Sequence, residues 1–210
     1  MTVQSSEPSI GARIRAIRKA RGIRTTRELA DLIAGAAVTE SIIENIESGR
    51  KVSLDVTQLL NIAMALEVPP SYLLAPVGAP RSKVDLAGLS NAFKEMTAIE
   101  FDAWMSGATG TTYVPVSANE RYARLELEAL REITLLDAEL DRLEVARRAA
   151  HEVSHDIGVL DFVTSYQERI GHAQIERDRL HAYLTSCGWD LPGARTNVAG
   201  GTVDDPVQEA

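Results

Sequence analysis

Apolar residues recur along this chain at three- and four-residue intervals with polar residues between them, the spacing of helices and not of strands. Between Ser9 and Leu74 the pattern predicts five short helices. In the first, Ile10, Ile14 and Ile17 share one side. In the second, Thr25 or Thr26 is placed to cap Glu28-Leu29-Ala30-Asp31-Leu32-Ile33, which turns an apolar stripe toward a core. The third, Val38 to Ser48, points Val38, Ile42 or Ile43, and Ile46 inward and is stopped by Gly49. Ser53 is placed to cap a fourth helix carrying Val56, Leu59, Leu60, Ala63 and Leu66. Pro69-Pro70 opens a fifth, because Pro is accepted at a helix start and not inside one.

Beyond Leu74 the pattern changes. Pro76 to Ser82 is rich in turn formers and marks a domain boundary. In the linking region that follows, Leu86, Leu89, Phe93 and Met96 keep helical spacing. Thr97 and Glu100 then form a capping-box pattern for a short helix with Phe101, Trp104 and Met105, whose aromatics, with only Lys94 as a basic neighbour, read as packing on the first domain or on a partner subunit in preference to stacking on bases. Gly107 to Pro115 reads as a loop or a short extended piece. Ser117 and Glu120 repeat the capping box and open the longest periodic stretch, where Ala129, Ile133, Leu136, Leu140 and Leu143 alternate four and three residues apart. A second stripe runs through Leu160, Val163, Tyr166, Ile170, Ala173, Leu180, Leu184 and Cys187, with Gly158 as the break between them. The two helices either fold back as an antiparallel hairpin or pair across a dimer whose seam is Ile133, Leu136, Leu140 and Leu143. The expected organisation is all-α: a five-helix domain over 1–76, a short helical linker region over 77–116, a helical hairpin or coiled-coil oligomerisation domain over 117–187, and a mobile tail over 188–210.

The polar side of the third helix carries Glu40, Ser41, Glu44 and Asn45, short side chains of the kind that reach base edges in a major groove. Arg50 and Lys51 follow where a phosphate backbone would lie, and Arg24, Thr26, Arg27 and Thr39 are the other candidate phosphate contacts. Upstream, Arg13, Arg15, Arg18, Lys19, Arg21, Arg24 and Arg27 form a basic run that reads as a phosphate-facing surface, with a merely solvated basic face as the plainer reading. Together, Leu29-Ala30, Ile43, Glu47, Ser48-Gly49-Arg50 and Ser53-Leu54-Asp55 resemble the Cro and phage-repressor (XRE-type) helix-turn-helix family over about the first third of the chain. The resemblance implies a five-helix DNA-binding domain and an Arg18–Glu47 ion pair that holds the recognition helix against the first helix. Glu40 can accept from a cytosine amino group; otherwise Ser41 and Asn45 carry the direct readout.

Charge divides along the chain in agreement with this reading. The net charge is −8, yet residues 1–76 hold nine Lys/Arg against eight Asp/Glu, so the acidic excess belongs to the rest. The sequence has neither a membrane-length apolar run nor a signal-peptide pattern, and its single cysteine, Cys187, is expected to serve in packing in a reducing cytoplasm. His151-Glu152-Val153-Ser154-His155 matches the H-E-x-x-H zinc motif. Its flanks, Arg147, Arg148 and Asp156, make it a polar helix surface, and no third ligand lies on the same helix. Zinc peptidase chemistry through His151 and His155 is therefore the remote alternative. The expected function is a cytoplasmic, nucleoid-associated transcriptional regulator, a repressor of phage or mobile-element type. It would bind double-stranded DNA at a palindromic operator as a homodimer, without cofactor or enzymatic activity. An antitoxin-like regulator that binds a protein partner is the alternative.

Overall fold

The computed structural model describes residues 9–33, 35, 38–51, 53–153 and 158–191, with side chains at 152, 153 and 158–163 left out. Residues 34, 36 and 37 of the turn before the third helix, His155 and the tail from 192 onward lie outside the described residues, as do the side chains of Leu160 and Val163. Among the described residues the protein is all-α. Its helices are α1 (Ile10–Ala20), α2 (Thr26–Leu32), α3 (Glu40–Glu47), α4 (Val56–Ala65), α5 (Pro70–Leu74), α6 (Asn91–Lys94), α7 (Ala98–Ser106), α8 (Ala118–Val153) and α9 (Gly158–Ser186). They form two compact units, Met1–Val116 and Ser117–Ala210.

In the first unit, α1 to α5 enclose a core of Ile14, Leu29, Ile43, Ile46, Ile62, Leu66 and Leu73, all fully buried. The starts of α1 to α4 are each capped by a side-chain oxygen. Ser9, Thr25 and Thr39 accept from the backbone N–H three residues on, supplying a partner that the first helical turn cannot. The cap of α4 is Asp55, whose carboxylate accepts from Gln58 N at 2.7 Å, and not Ser53. Ser53 and Asp55 both offer a capping oxygen there, and the carboxylate is the stronger acceptor for the positive end of the helix.

The domain boundary predicted at Pro76 does not appear as a division between units. Residues 77–106 belong to the first one: Ala75, Val84, Ala98 and Phe101 make a second buried cluster, with Leu74, Val77, Leu86, Leu89, Phe93 and Met96 packed around it. Only 91–94 of the 86–96 stretch is helical, so its three- and four-residue spacing reports a shared core and not one continuous helix. The capping box of α7 is complete. Thr97 Oγ1 accepts from Glu100 N, while Glu100 Oε2 accepts from Thr97 N at 2.8 Å.

Arg13 supplies the strongest tie to this segment. Its Nη1 donates to both oxygens of Asp85 at 3.0 and 2.8 Å, its Nε to Leu73 O and its Nη2 to Leu74 O. The two side chains are only 8% and 7% exposed. The basic run of α1 is therefore not one phosphate-facing surface: Arg13 and Arg18 turn into the protein, whereas Arg15, Lys19 and Arg21 stay exposed. Gly11 lets α1 cross the end of α3, since a Cβ there would stand 2.0 Å from Ile46 O.

The second unit is a helical hairpin. Ala129 and Ile133 of α8 pack on Leu180 and Leu184 of α9, and Leu140 and Leu143 pack on Ile170 and Ala173. Leu136 lies between the two layers, partly buried against both. The predicted dimer seam, Ile133, Leu136, Leu140 and Leu143, is thus occupied within the chain. An antiparallel partner four residues further along the same chain is at far higher effective concentration than a second molecule. Ion pairs Arg169–Glu139 and Arg177–Asp137 cross between the helices at 3.3 and 3.5 Å. Cys187, expected to pack, is exposed just past the end of α9. Trp189 donates from Nε1 to Glu126 Oε2 at 3.0 Å. Among the described residues no helix is long and apolar enough to cross a membrane.

Candidate nucleic-acid interface

The third helix divides cleanly between core and solvent. Ile43 and Ile46 are buried, while Glu40, Ser41 and Glu44 are exposed and Asn45 is half-buried. The spacing alone produces this, because residues three and four apart share a side of a helix. Thr39 caps the start and touches Ser41 Oγ at 3.2 Å. At the other end Gly49 takes φ +75°, a left-handed conformation costly for any side chain, and Lys51 N returns to Asn45 O at 2.8 Å.

Arg18 and Glu47 fix this helix in place. The guanidinium donates from Nε and Nη2 to the two carboxylate oxygens, each at 2.7 Å, and its Nη1 donates to Ile23 O and Arg24 O. One buried side chain thereby joins α1, the end of α3 and the turn leading into α2. The hydrogen bonds to Glu47 raise the Arg18 pKa above its ordinary value; burial opposes them, and the charges of Glu47 and Glu28 add to the rise. The pair that the resemblance implied is present, and it is structural.

Half of the ten predicted base and phosphate contacts are brought together by the structure. Arg24, Thr26, Glu40, Glu44 and Arg50 line a single open groove of about 580 Å³, joined by Arg15. Arg27, Thr39, Ser41, Asn45 and Lys51 are not part of its lining. Arg24 and Arg27 are exposed, and the backbone N–H of Arg24 donates to Glu28 Oε2 at 2.7 Å, which shapes the entry to α2. Thr25 caps α2 and Thr26 is its first residue. Arg50 turns back so that its Nε meets Ser48 Oγ at 3.1 Å. Lys51 donates to Gln58 Oε1 at 2.7 Å and is steadied by α4.

The groove is electrostatically mixed. Arg15, Arg24 and Arg50 place guanidinium groups around Glu40 and Glu44, and Glu47 is already neutralised by Arg18. Such a surface can donate to phosphate oxygens at its margins and accept hydrogen bonds at its centre. Arg15 was not singled out from the basic run as a member of this site. Its position three residues before Arg18 and outside the Ile10, Ile14, Ile17 stripe was the available signal.

His151 is exposed near the end of α8. Among the described residues, no group of three His, Cys, Asp or Glu side chains could hold a metal ion. A scan against protein-family models finds no match for the chain, and neither the curated proteins nor the solved structures give one.

Proposed function

We propose that the chain is a sequence-specific DNA-binding transcriptional regulator of the Cro and phage-repressor type, a repressor that acts as a dimer on a palindromic operator in the bacterial nucleoid. The observation that carries this reading is the two-sidedness of α3. Ile43 and Ile46 are spent on the core and Glu47 on Arg18, which leaves a rigidly held row of short polar side chains facing solvent. A helix held at both ends and polar on its free side fits a major groove, which is wide enough to admit it.

In this reading Glu40, Ser41, Glu44 and Asn45 meet base edges, and Arg24, Thr26, Arg27, Thr39, Arg50 and Lys51 meet phosphates. Carboxylates only accept, so Glu40 and Glu44 favour bases that present amino groups, cytosine above all. Arg50 would have to leave Ser48, an exposed contact that is weak enough to exchange for a phosphate.

Selection of bound duplexes from a random pool with the full chain tests the proposal. The expected result is an enriched palindrome whose half-site centres lie about 10 bp, or a multiple of that, apart. A pool that returns no preferred sequence, with binding insensitive to salt, would exclude it.

A further inference from the structure

The outward side of α4 has no obvious reason to face water. The helix, Val56–Ala65, contains no charged residue, although a quarter of the chain is charged. Its buried residues are Gln58, Ile62 and Ala63, and the opposite side presents Val56, Leu60 and Met64, one turn apart in a straight row and 70%, 49% and 80% exposed. Thr57 and Asn61, also uncharged, flank the row. A solvated helix face ordinarily carries Lys, Glu or Arg, and three large apolar side chains in a line are not the scattered exposure common on protein surfaces.

Beside the row lies a groove of about 400 Å³ between α4, α5 and α7, with Leu60, Pro70, Leu74 and Met105 in its walls. Asp102 is the one carboxylate among the described residues that line it. Tyr72 on α5 adds a further exposed ring. A projecting apolar row and a largely apolar groove therefore share one side of the first unit, with the carboxylate of Asp102 in the groove wall.

We propose that this α4 face is a docking surface for a second copy of the chain, with Met64 of each copy entering the groove beside Leu60 of the other. A surface that holds both a projection and a recess of the same chemistry is complementary to itself under two-fold rotation. Charge favours the same occupant. Two molecules each carrying −8 repel at a distance, and contact costs least through the charge-free row of α4 and a groove whose described lining holds one carboxylate. The hairpin stripe that otherwise offered a dimer seam is filled by its own chain. The row exposes a few hundred Å² per copy, so the pair sits at the small end of specific interfaces and forms a weak dimer. Two copies on adjacent operator half-sites would be held at high effective concentration, where a weak contact suffices.

The test uses the full chain, and only its DNA arm rests on the proposed function. In sedimentation equilibrium the wild type should move from monomer toward twice the monomer mass as concentration rises into the high micromolar range. Met64→Glu should remain monomeric with an unchanged melting curve, and Met64→Leu should behave as the wild type. On DNA, Met64→Glu should bind a single half-site as the wild type does but lose at least about tenfold in cooperative occupancy of a double site. A wild type that stays monomeric throughout, or a Met64→Glu variant that associates like the wild type, overturns the proposal. If no DNA is bound, the sedimentation result decides alone.

Discussion

Arg13 and Asp85, 72 residues apart in sequence, meet in a nearly dry ion pair with two N–H···O bonds, at 3.0 and 2.8 Å. The same guanidinium also closes the carbonyls of Leu73 and Leu74 at the end of α5. Asp85→Ala should therefore destabilise the first unit by about 3–5 kcal/mol, because it strands a buried charge. Urea unfolding followed by circular dichroism measures this. A loss below about 1 kcal/mol would place the pair in the class of exposed bridges.

Gly11→Ala should act on the same unit by a different route. The added methyl meets backbone, at 2.0 Å from Ile46 O, and backbone cannot swing aside as a side-chain tip does. The crossing of α1 and α3 has to open, at a cost of about 1–3 kcal/mol or more. Because α3 shifts with it, DNA affinity should fall together with the melting temperature, and a variant that keeps both would contradict the close crossing.

Glu100 gives a pH-dependent contribution. Hydrogen bonds from the Thr97 backbone and hydroxyl, with help from Lys83, hold its pKa below the ordinary value of 4.5 against a small opposing effect of burial. The unfolded chain therefore takes up the proton first as pH falls. The stabilisation is complete above the ordinary glutamate range and disappears as pH drops through the depressed folded value. Relative to Glu100→Ala, the wild type should be more stable by about 1 kcal/mol at neutral pH, and the gap should close in acid. A gap independent of pH would rule the carboxylate out as its source.

Leu140→Asp places a carboxylate against Ile170 and Ala173 and should melt the α8–α9 hairpin while sparing the first unit. Since the contacts lie within one chain, the wild-type hairpin transition should not depend on protein concentration. A midpoint that climbs with concentration would restore the seam to a dimer.

On DNA, Asn45→Ala should cost about 1–3 kcal/mol on the preferred site and relax discrimination at one base pair. Arg50→Ala should weaken all sequences alike and flatten the salt dependence by about one unit. Uniform loss from Asn45→Ala would remove it from the base-reading set.

The helices of this protein were legible in its sequence where an element meets the core through its own periodicity. Ile14, Leu29 and Ile46 could be placed inside from spacing alone, which left Ile42 and Ile43 as alternatives, and Thr97 with Glu100 announced the start of α7. What local pattern could not show was pairing at a distance. Arg13 looks like any member of a basic run until Asp85 arrives beside it, and residues 77–106 look like a linker until Val84 and Phe101 meet Ala75. One clue was present: Arg13 falls between Ile10 and Ile14 on the buried stripe of α1. The α8 stripe was visible, yet a stripe needs only some partner helix, and spacing does not say whether that helix belongs to the same molecule.

The layers of the hairpin also set an order of assembly. Leu143 with Ile170 encloses a short stretch of chain, Leu140 with Ala173 a longer one, and Ala129 with Leu184 the longest. The entropy lost on closing a loop grows with its length, so each inner layer, once made, shortens the search for the next. The hairpin should therefore zip from the Leu143–Ile170 layer toward the layer of Ala129 and Leu184. The contact of Trp189 with Glu126, outermost in the hairpin, should then form last. If the outer layer opens first in the native state, the amides around Leu184 at the end of α9 should exchange with solvent before those around Ile170, which hydrogen exchange would measure.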